Sequence, residues 1–301
     1  MNHLKFVQFL VRISSSFLRF VLVAIANSLG RIGYRLYRSE RELALRNIRA
    51  CYPSEPSSVH EQIAIRSFQH SVLSALDLVR FADEARSRWP PITVKNHERI
   101  AAALAKGRGV ILITGHYGNL GALPFALAGI CADPAYLWHR PTRKVGWAIA
   151  QFRSYRDLYV KPRTGFHRLE SSIRGAIRAG HLLKCGNAVI MGADLTWGSG
   201  ILPVTFLGVP YNMSRVPASL SLRTNAPLLP ITTIRKRDGS YDVVVDEPIE
   251  NPTAIPNRQA EQIMTETFAR ILELRVRSCP EQWSWTHRDS WPTRPAPTPI
   301  K

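Results

Sequence analysis

Seven short apolar runs dominate the middle of this chain: Val110–Thr114, Ala135–Trp138, Leu158–Val160, Ala188–Met191, Pro203–Phe206, Leu228–Thr233 and Tyr241–Val245. Each is bounded by glycine, proline or charge, and each is too short for a helix, so they read as strands. Helical segments lie between several of them, at about 119–129, 143–156, 167–184 and 215–224. Strands alternating with helices predict an α/β fold with a mostly parallel mixed sheet flanked by helices. That architecture also restricts where function can sit, because open α/β sheets bind ligands beyond the carboxyl ends of their strands.

The flanks are helical. Residues 37–51 form a basic helix stopped by Pro53, and 57–84 carry an inward stripe of Ile63, Ile65, Phe68, Val72, Leu76 and Val79. A short helix at 96–106 ends at Gly107, and a long one at 257–278 precedes the aromatic segment EQWSWTHRDSW. With no repeat or linker in between, three regions are expected: an amphipathic anchor helix at 1–36, one α/β domain at 37–290, and a loose Pro-rich tail at 291–301.

The N-terminal region sets a polar stripe of Lys5, Gln8, Arg12, Ser15 and Arg19 beside Phe6, Phe9, Leu10, Ile13, Phe17 and Leu18. The uncharged run from Phe20 to Gly30 is far short of the ~20 residues that cross a bilayer. Placing Arg12 and Arg19 in mid-bilayer costs roughly 2.5–3.5 kcal/mol each. A helix lying in an anionic membrane surface is the expectation, with no cleaved signal peptide. The net charge of +18 speaks to partners rather than to fold, and favours anionic lipid or an acidic protein. No nucleic-acid module accompanies it, so nucleic acid is not expected as a partner. The four cysteines (Cys51, Cys131, Cys185, Cys279) lack zinc spacing and read as buried thiols; no metal is expected.

Two polar residues follow predicted strands at the end where ligands bind. His116 comes after Val110–Thr114, and Asp194 after Ala188–Met191. If those strands are parallel neighbours, the two side chains share one rim. An imidazole there can accept a proton from a hydroxyl at neutral pH. Gly115 and Gly118 let the backbone turn tightly beside it. A helix beginning near Asn119 would present amide groups to a developing negative charge. G-x-S-x-G, the P-loop and a complete G-x-G-x-x-G are all missing from the sequence, so neither a serine nucleophile nor a nucleotide cofactor is supported. Arg140, beside Pro141, and Arg163, near Gly165, are candidates for holding phosphate through their planar forks. Asn119 is a further candidate for substrate binding, or for fixing the loop, if its side chain turns inward.

These residues meet a family pattern. The stretch GHYGNLG resembles the His-x-x-x-x-Asp/Glu motif of glycerolipid-type acyltransferases, and in particular of the bacterial lipid A biosynthesis (lauroyl/myristoyl) acyltransferases. The segments ALRNIRACYP, IRSFQHSV, WHRP, MGADLTWGSGILPVTFLGVPYNMSRVPASLSLRTNAPLLPI and CPEQWSWTHRDSW are similar to further blocks of that family, in the same order. The resemblance implies an enzyme of the bacterial inner membrane, at its cytoplasmic face. Such an enzyme moves a fatty acyl chain from acyl carrier protein or acyl-CoA to a hydroxyl of a membrane lipid such as a lipid A precursor. It needs no cofactor; the histidine is the base, and a carboxylate orients it.

The departure lies at position 121, where the motif's acid is replaced by Gly121. Disabling the orienting Asp of a serine-protease triad costs on the order of 10⁴ in rate. Three arrangements fit the sequence. Asp194 supplies the carboxylate; or a backbone carbonyl fixes the tautomer; or the protein binds lipid or a partner enzyme without catalysing transfer.

Overall fold

The computed structural model describes residues 16–81, 90–131, 134–138, 167–170, 172–195, 200–252, 254–286 and 291. Three helices lead: α1 (Ser16–Leu36), α2 (Arg38–Cys51) and α3 (Ser57–Phe81). They are followed by β1 (Ile92–Lys95), α4 (Glu98–Leu104), β2 (Val110–Thr114), α5 (Leu123–Leu127), β3 (Ala135–Trp138), β4 (His167–Glu170), α6 (Ile173–Lys184) and β5 (Ala188–Gly192). Next come the hairpin β6 (Ile201–Phe206) and β7 (Val209–Ser214), then α7 (Val216–Thr224), β8 (Leu228–Arg235), β9 (Tyr241–Val245) and α8 (Asn257–Ser278).

Seven strands form one sheet in the order β1-β9-β8-β2-β5-β3-β4. Every neighbouring pair is parallel except β8 and β9, which are antiparallel. The expected mostly parallel mixed sheet is therefore present. Its central strand β2 is buried along its whole length. Ile111 and Ile113 face the layer of α6, α7 and α8, whereas Val110 and Leu112 face the layer of α4 and α5. Both faces of a parallel strand are covered by helices, which is why VILIT reads as an unbroken apolar run.

Several elements differ from the expectation. Pro203–Phe206 belongs to no central strand. It lies in β6, which pairs only with β7 as a separate two-stranded sheet. Leu207 and Gly208 both take positive φ (53° and 81°), the conformation of a two-residue type I′ hairpin turn whose twist matches the strands. The helix expected over 167–184 is split: His167–Glu170 pairs with β3, and the helix starts only after Ser172, whose hydroxyl accepts the Gly175 N–H at 3.1 Å. The helix expected at 119–129 is a 3₁₀ turn at Leu120–Ala122 followed by the short α5. Of the four thiols, Cys51 and Cys131 are buried, but Cys185 is exposed. The expected strand Leu158–Val160, the helix 143–156, the stripe at residues 5–15 and the tail 292–301 lie outside the described residues.

α1 packs along α3. Ala26 is fully buried, and a Cβ at Gly30 would lie 2.5 Å from the Gln69 Cα, so only glycine allows this approach. The Gln69 side-chain amide donates to the Asn27 carbonyl at 3.2 Å, and Tyr34 meets Phe68 edge-on. The opposite side of α1 exposes Val21, Ile25, Leu29, Ile32 and Leu36 at helical spacing. Among the described residues, no helix is long and apolar enough to cross a membrane.

Candidate active site

β2 and β5 are parallel neighbours with Thr114 opposite Gly192. Two residues beyond that pair, the chain reaches His116 on one strand and Asp194 on the other. Strand register thus brings the two side chains to the same height on the carboxyl rim. The His116 Nδ1 lies 2.8 Å from Asp194 Oδ1, and the His116 backbone N–H donates to Oδ2 at 2.5 Å. One carboxylate therefore holds both the ring and the peptide that carries it.

Asp194 is fully buried, whereas 33% of the His116 side chain is exposed. A buried carboxylate is tolerated only when its oxygens are satisfied. The Trp283 indole N–H donates to Oδ2 at 3.3 Å, and the Tyr211 hydroxyl donates to the Asp194 main-chain carbonyl at 2.7 Å. A carboxylate on Nδ1 selects the tautomer protonated there and places the ring's basic lone pair on Nε2. This is the orientation a general base needs.

Local glycines make the approach possible. A Cβ at Gly115 would sit 2.7 Å from a Leu272 methyl and 3.2 Å from Asp194 Oδ2, so a side chain there would press on both. Gly118 has φ +63°, and a Cβ there would run into the Thr233 carbonyl oxygen. The closing aromatic segment pairs with this loop like an added strand. Tyr117 bridges Trp283, the Gly118 N–H donates to the Gln282 carbonyl at 2.8 Å, and the Ser284 N–H donates to the His116 carbonyl at 3.2 Å. In the sequence this segment stood out by its aromatic density and by its similarity to a family block, but neither signal placed it beside the His116 loop.

Asn119 is buried and works inside the protein. Its Oδ1 accepts the Gly121 N–H at 3.1 Å, and its Nδ2 donates to the Ser74 carbonyl and the Tyr241 hydroxyl, both at 3.2 Å. It holds the loop rather than facing the open rim where a substrate would lie. The expected amide cradle at the helix start is corrected by the same bond: the Gly121 amide is capped by Asn119, and the Ala122 amide by the Asn119 carbonyl. Gly121 itself lies against α3, where a Cβ would reach within 2.9 Å of Leu78 Cγ. Arg140 and Arg163 lie outside the described residues.

The helix expected over 57–84 is present as α3, but it carries a polar ridge toward the His116 loop that its sequence does not announce. Ser67, His70, Ser74, Asp77 and Leu78 recur along one face of it and meet the loop and its neighbours. Ser67 donates to the Trp283 carbonyl at 3.2 Å, and the half-buried His70 hydrogen-bonds the Gly118 backbone. Only the fold reveals this ridge, since polar residues on a helix otherwise read as a solvated face.

A mostly parallel sheet, covered on both sides and carrying a histidine–aspartate pair on its carboxyl rim, defines an α/β protein with a polar pair at an accessible sheet edge. Sequence comparison narrows this class: the chain belongs to the bacterial lipid A biosynthesis acyltransferase family, whose profile matches residues 5–291. It is similar to the lipid A biosynthesis palmitoleoyltransferase of Escherichia coli (strain K12), with 24% identity over 284 residues that cover 91% of this chain and 86% of the relative. The same values hold for a lipid A biosynthesis acyltransferase of Shigella flexneri.

Proposed function

We propose that this chain transfers a fatty acyl group from an acyl thioester, carried by acyl carrier protein or coenzyme A, to a hydroxyl of a lipid A precursor. The observation that carries this reading is the contact of Asp194 with His116 Nδ1 at 2.8 Å. It supplies, from just beyond the end of β5, the carboxylate that position 121 lacks. In this mechanism His116 Nε2 takes the proton of the acceptor hydroxyl as its oxygen attacks the thioester carbonyl. The C–O bond forms, Asp194 stabilises the imidazolium, and collapse breaks the C–S bond. The imidazolium then returns the proton to the departing thiolate. General-base assistance of this kind contributes typically ~10²–10⁴-fold.

Asn119 serves as a positioning residue here, and Arg140 and Arg163 keep their proposed role toward acceptor phosphate or donor. The exposed apolar stripe of α1 rests on the cytoplasmic face of the bacterial inner membrane, with Arg31, Arg35 and Arg38 following along the chain toward anionic headgroups. Residues 1–36 act as the anchor of a single α/β domain at 37–290.

The test is acyl transfer by the purified full-length protein, with acyl carrier protein and coenzyme A thioesters offered separately to a lipid A precursor in mixed micelles. Product mass is read by mass spectrometry. Wild type is expected to add one acyl chain, and His116→Ala none. A folded wild type that binds the lipid but forms no product with either donor would turn the reading toward a lipid-binding protein.

A further inference from the structure

Behind the His116 loop, away from the exposed rim, lies a buried polar cluster that the proposed chemistry does not use. Its centre is Asp77 on α3, only 4% exposed. Asp77 Oδ2 accepts from the Tyr241 hydroxyl at 2.7 Å and from the Arg235 Nε–H at 3.1 Å, while Oδ1 accepts from Arg80 at 3.1 Å. The Tyr241 hydroxyl in turn accepts from Asn119 Nδ2 at 3.2 Å, and Asn119 Oδ1 caps the turn at Gly121. A continuous chain of hydrogen bonds thus runs from a buried carboxylate to the turn that follows His116.

Stability alone gives a poor account of this cluster. Burying a carboxylate with guanidinium groups is often no better than apolar packing of the same volume. The cluster also includes the loop's own cap, since Asn119 has one side-chain oxygen for Gly121 and its amide is divided between Tyr241 and Ser74. Holding Tyr241 in place fixes which way the Asn119 amide faces, and so fixes the turn. Nothing at Gly121 can do this from within the motif.

We propose that Asp77, through Tyr241 and Asn119, positions the loop that runs from His116 into the turn at Leu120–Ala122. The proposal rests on the reading of His116 as the base, and it adds residues from α3 and β9 that act on the site without touching substrate. Misplacing a reacting group by about 1 Å can cost on the order of 10²-fold, so the effect is read in turnover rather than in binding.

The experiment uses the full-length protein and Tyr241→Phe, which keeps the ring and removes only the hydroxyl. Two readouts are taken: kcat and KM for the acyl thioester, and amide hydrogen exchange over residues 115–123. The expected result is a roughly 10- to 100-fold loss of kcat with KM unchanged, together with faster exchange confined to that loop. Asp77→Asn is expected to match it, and the double variant to be no worse than the lower single variant, since all act through one chain. If Asp77→Asn fails to fold, Tyr241→Phe decides alone. Wild-type kcat and wild-type loop exchange in Tyr241→Phe would overturn the proposal. So would exchange that rises across the whole sheet, which marks a structural role only. If the wild type transfers no acyl group, the reading of the site fails, and the exchange arm still decides the positioning: faster exchange over 115–123 upholds it, and unchanged exchange overturns it.

Discussion

Leu78 stands where a side chain at position 121 would have to begin. A Cβ placed on Gly121 comes within 2.9 Å of Leu78 Cγ, and closer still to one of its methyls. Restoring the motif by a single substitution therefore meets a steric obstacle before it meets any chemistry. Gly121→Glu is expected to destabilise the fold by roughly 1–3 kcal/mol, the usual range for overpacking, and to bring no gain in transfer rate. Adding Leu78→Ala is expected to recover part of that loss. Urea unfolding of the single and double variants checks this, and a Gly121→Glu protein as stable as wild type would contradict it.

His70 makes a pH prediction. It sits on α3 against Ser74, with Nε2 at 3.3 Å from the hydroxyl, and against the Gly118 backbone. Burial pushes its pKa down to about 4. In the unfolded chain a histidine takes its proton near ~6.5. Between those two values the unfolded state binds more protons, so stability falls as pH falls through that window and is unaffected above it. His70→Gln removes this term. The stability difference between wild type and variant is expected to be constant above about pH 6.5 and to move against wild type as pH drops toward about 4. Parallel curves of urea midpoint against pH would show that His70 is not held neutral.

The apolar stripe of α1 is testable with vesicles. Five of its residues are 38–74% exposed, so sinking them into an interface recovers on the order of 1 kcal/mol each. Ile25→Glu or Leu29→Glu removes one of these contributions and adds a charge that resists burial. At least about a tenfold loss of binding to anionic phospholipid vesicles is expected, since ~1.4 kcal/mol corresponds to tenfold. The thermal midpoint should stay close to wild type, because both side chains project from the packed structure. Unchanged vesicle binding would place the membrane contact elsewhere.

Much of this fold is legible in the sequence because several of its strands are short apolar runs bounded by glycine, proline or charge. Val110–Thr114, Ala135–Trp138 and Tyr241–Val245 have the boundaries expected from their apolar runs. β1 and β7 were not readable, because ITVK is only four residues long and its alternation is too brief to register, and VPYNMS contains proline and asparagine. β4 was taken for helix because HRLE leads into a helical sequence with no glycine or proline to separate them. His116 and Asp194 were found because both follow strand ends, and parallel register then carries them together. Asp77, His70 and Leu78 escaped notice because their role depends on how α3 docks behind a loop distant in sequence. For Asn119 the sequence left substrate binding and loop fixing both open, and its contacts with Gly121, Ser74 and Tyr241 became visible only in the fold.

The proposed role of Asp194, in place of the absent motif acid, is tested most directly by the transfer rate of Asp194→Asn. The measurement is single-turnover acyl transfer by wild type and Asp194→Asn at saturating thioester, with folding verified by circular dichroism. Asparagine keeps the size of the side chain but removes the charge that stabilises the imidazolium. By analogy with triads that lose their orienting carboxylate, the rate is expected to fall by about 10³–10⁴-fold. A variant that transfers acyl groups at the wild-type rate would contradict the account and leave His116 to be oriented by some other group.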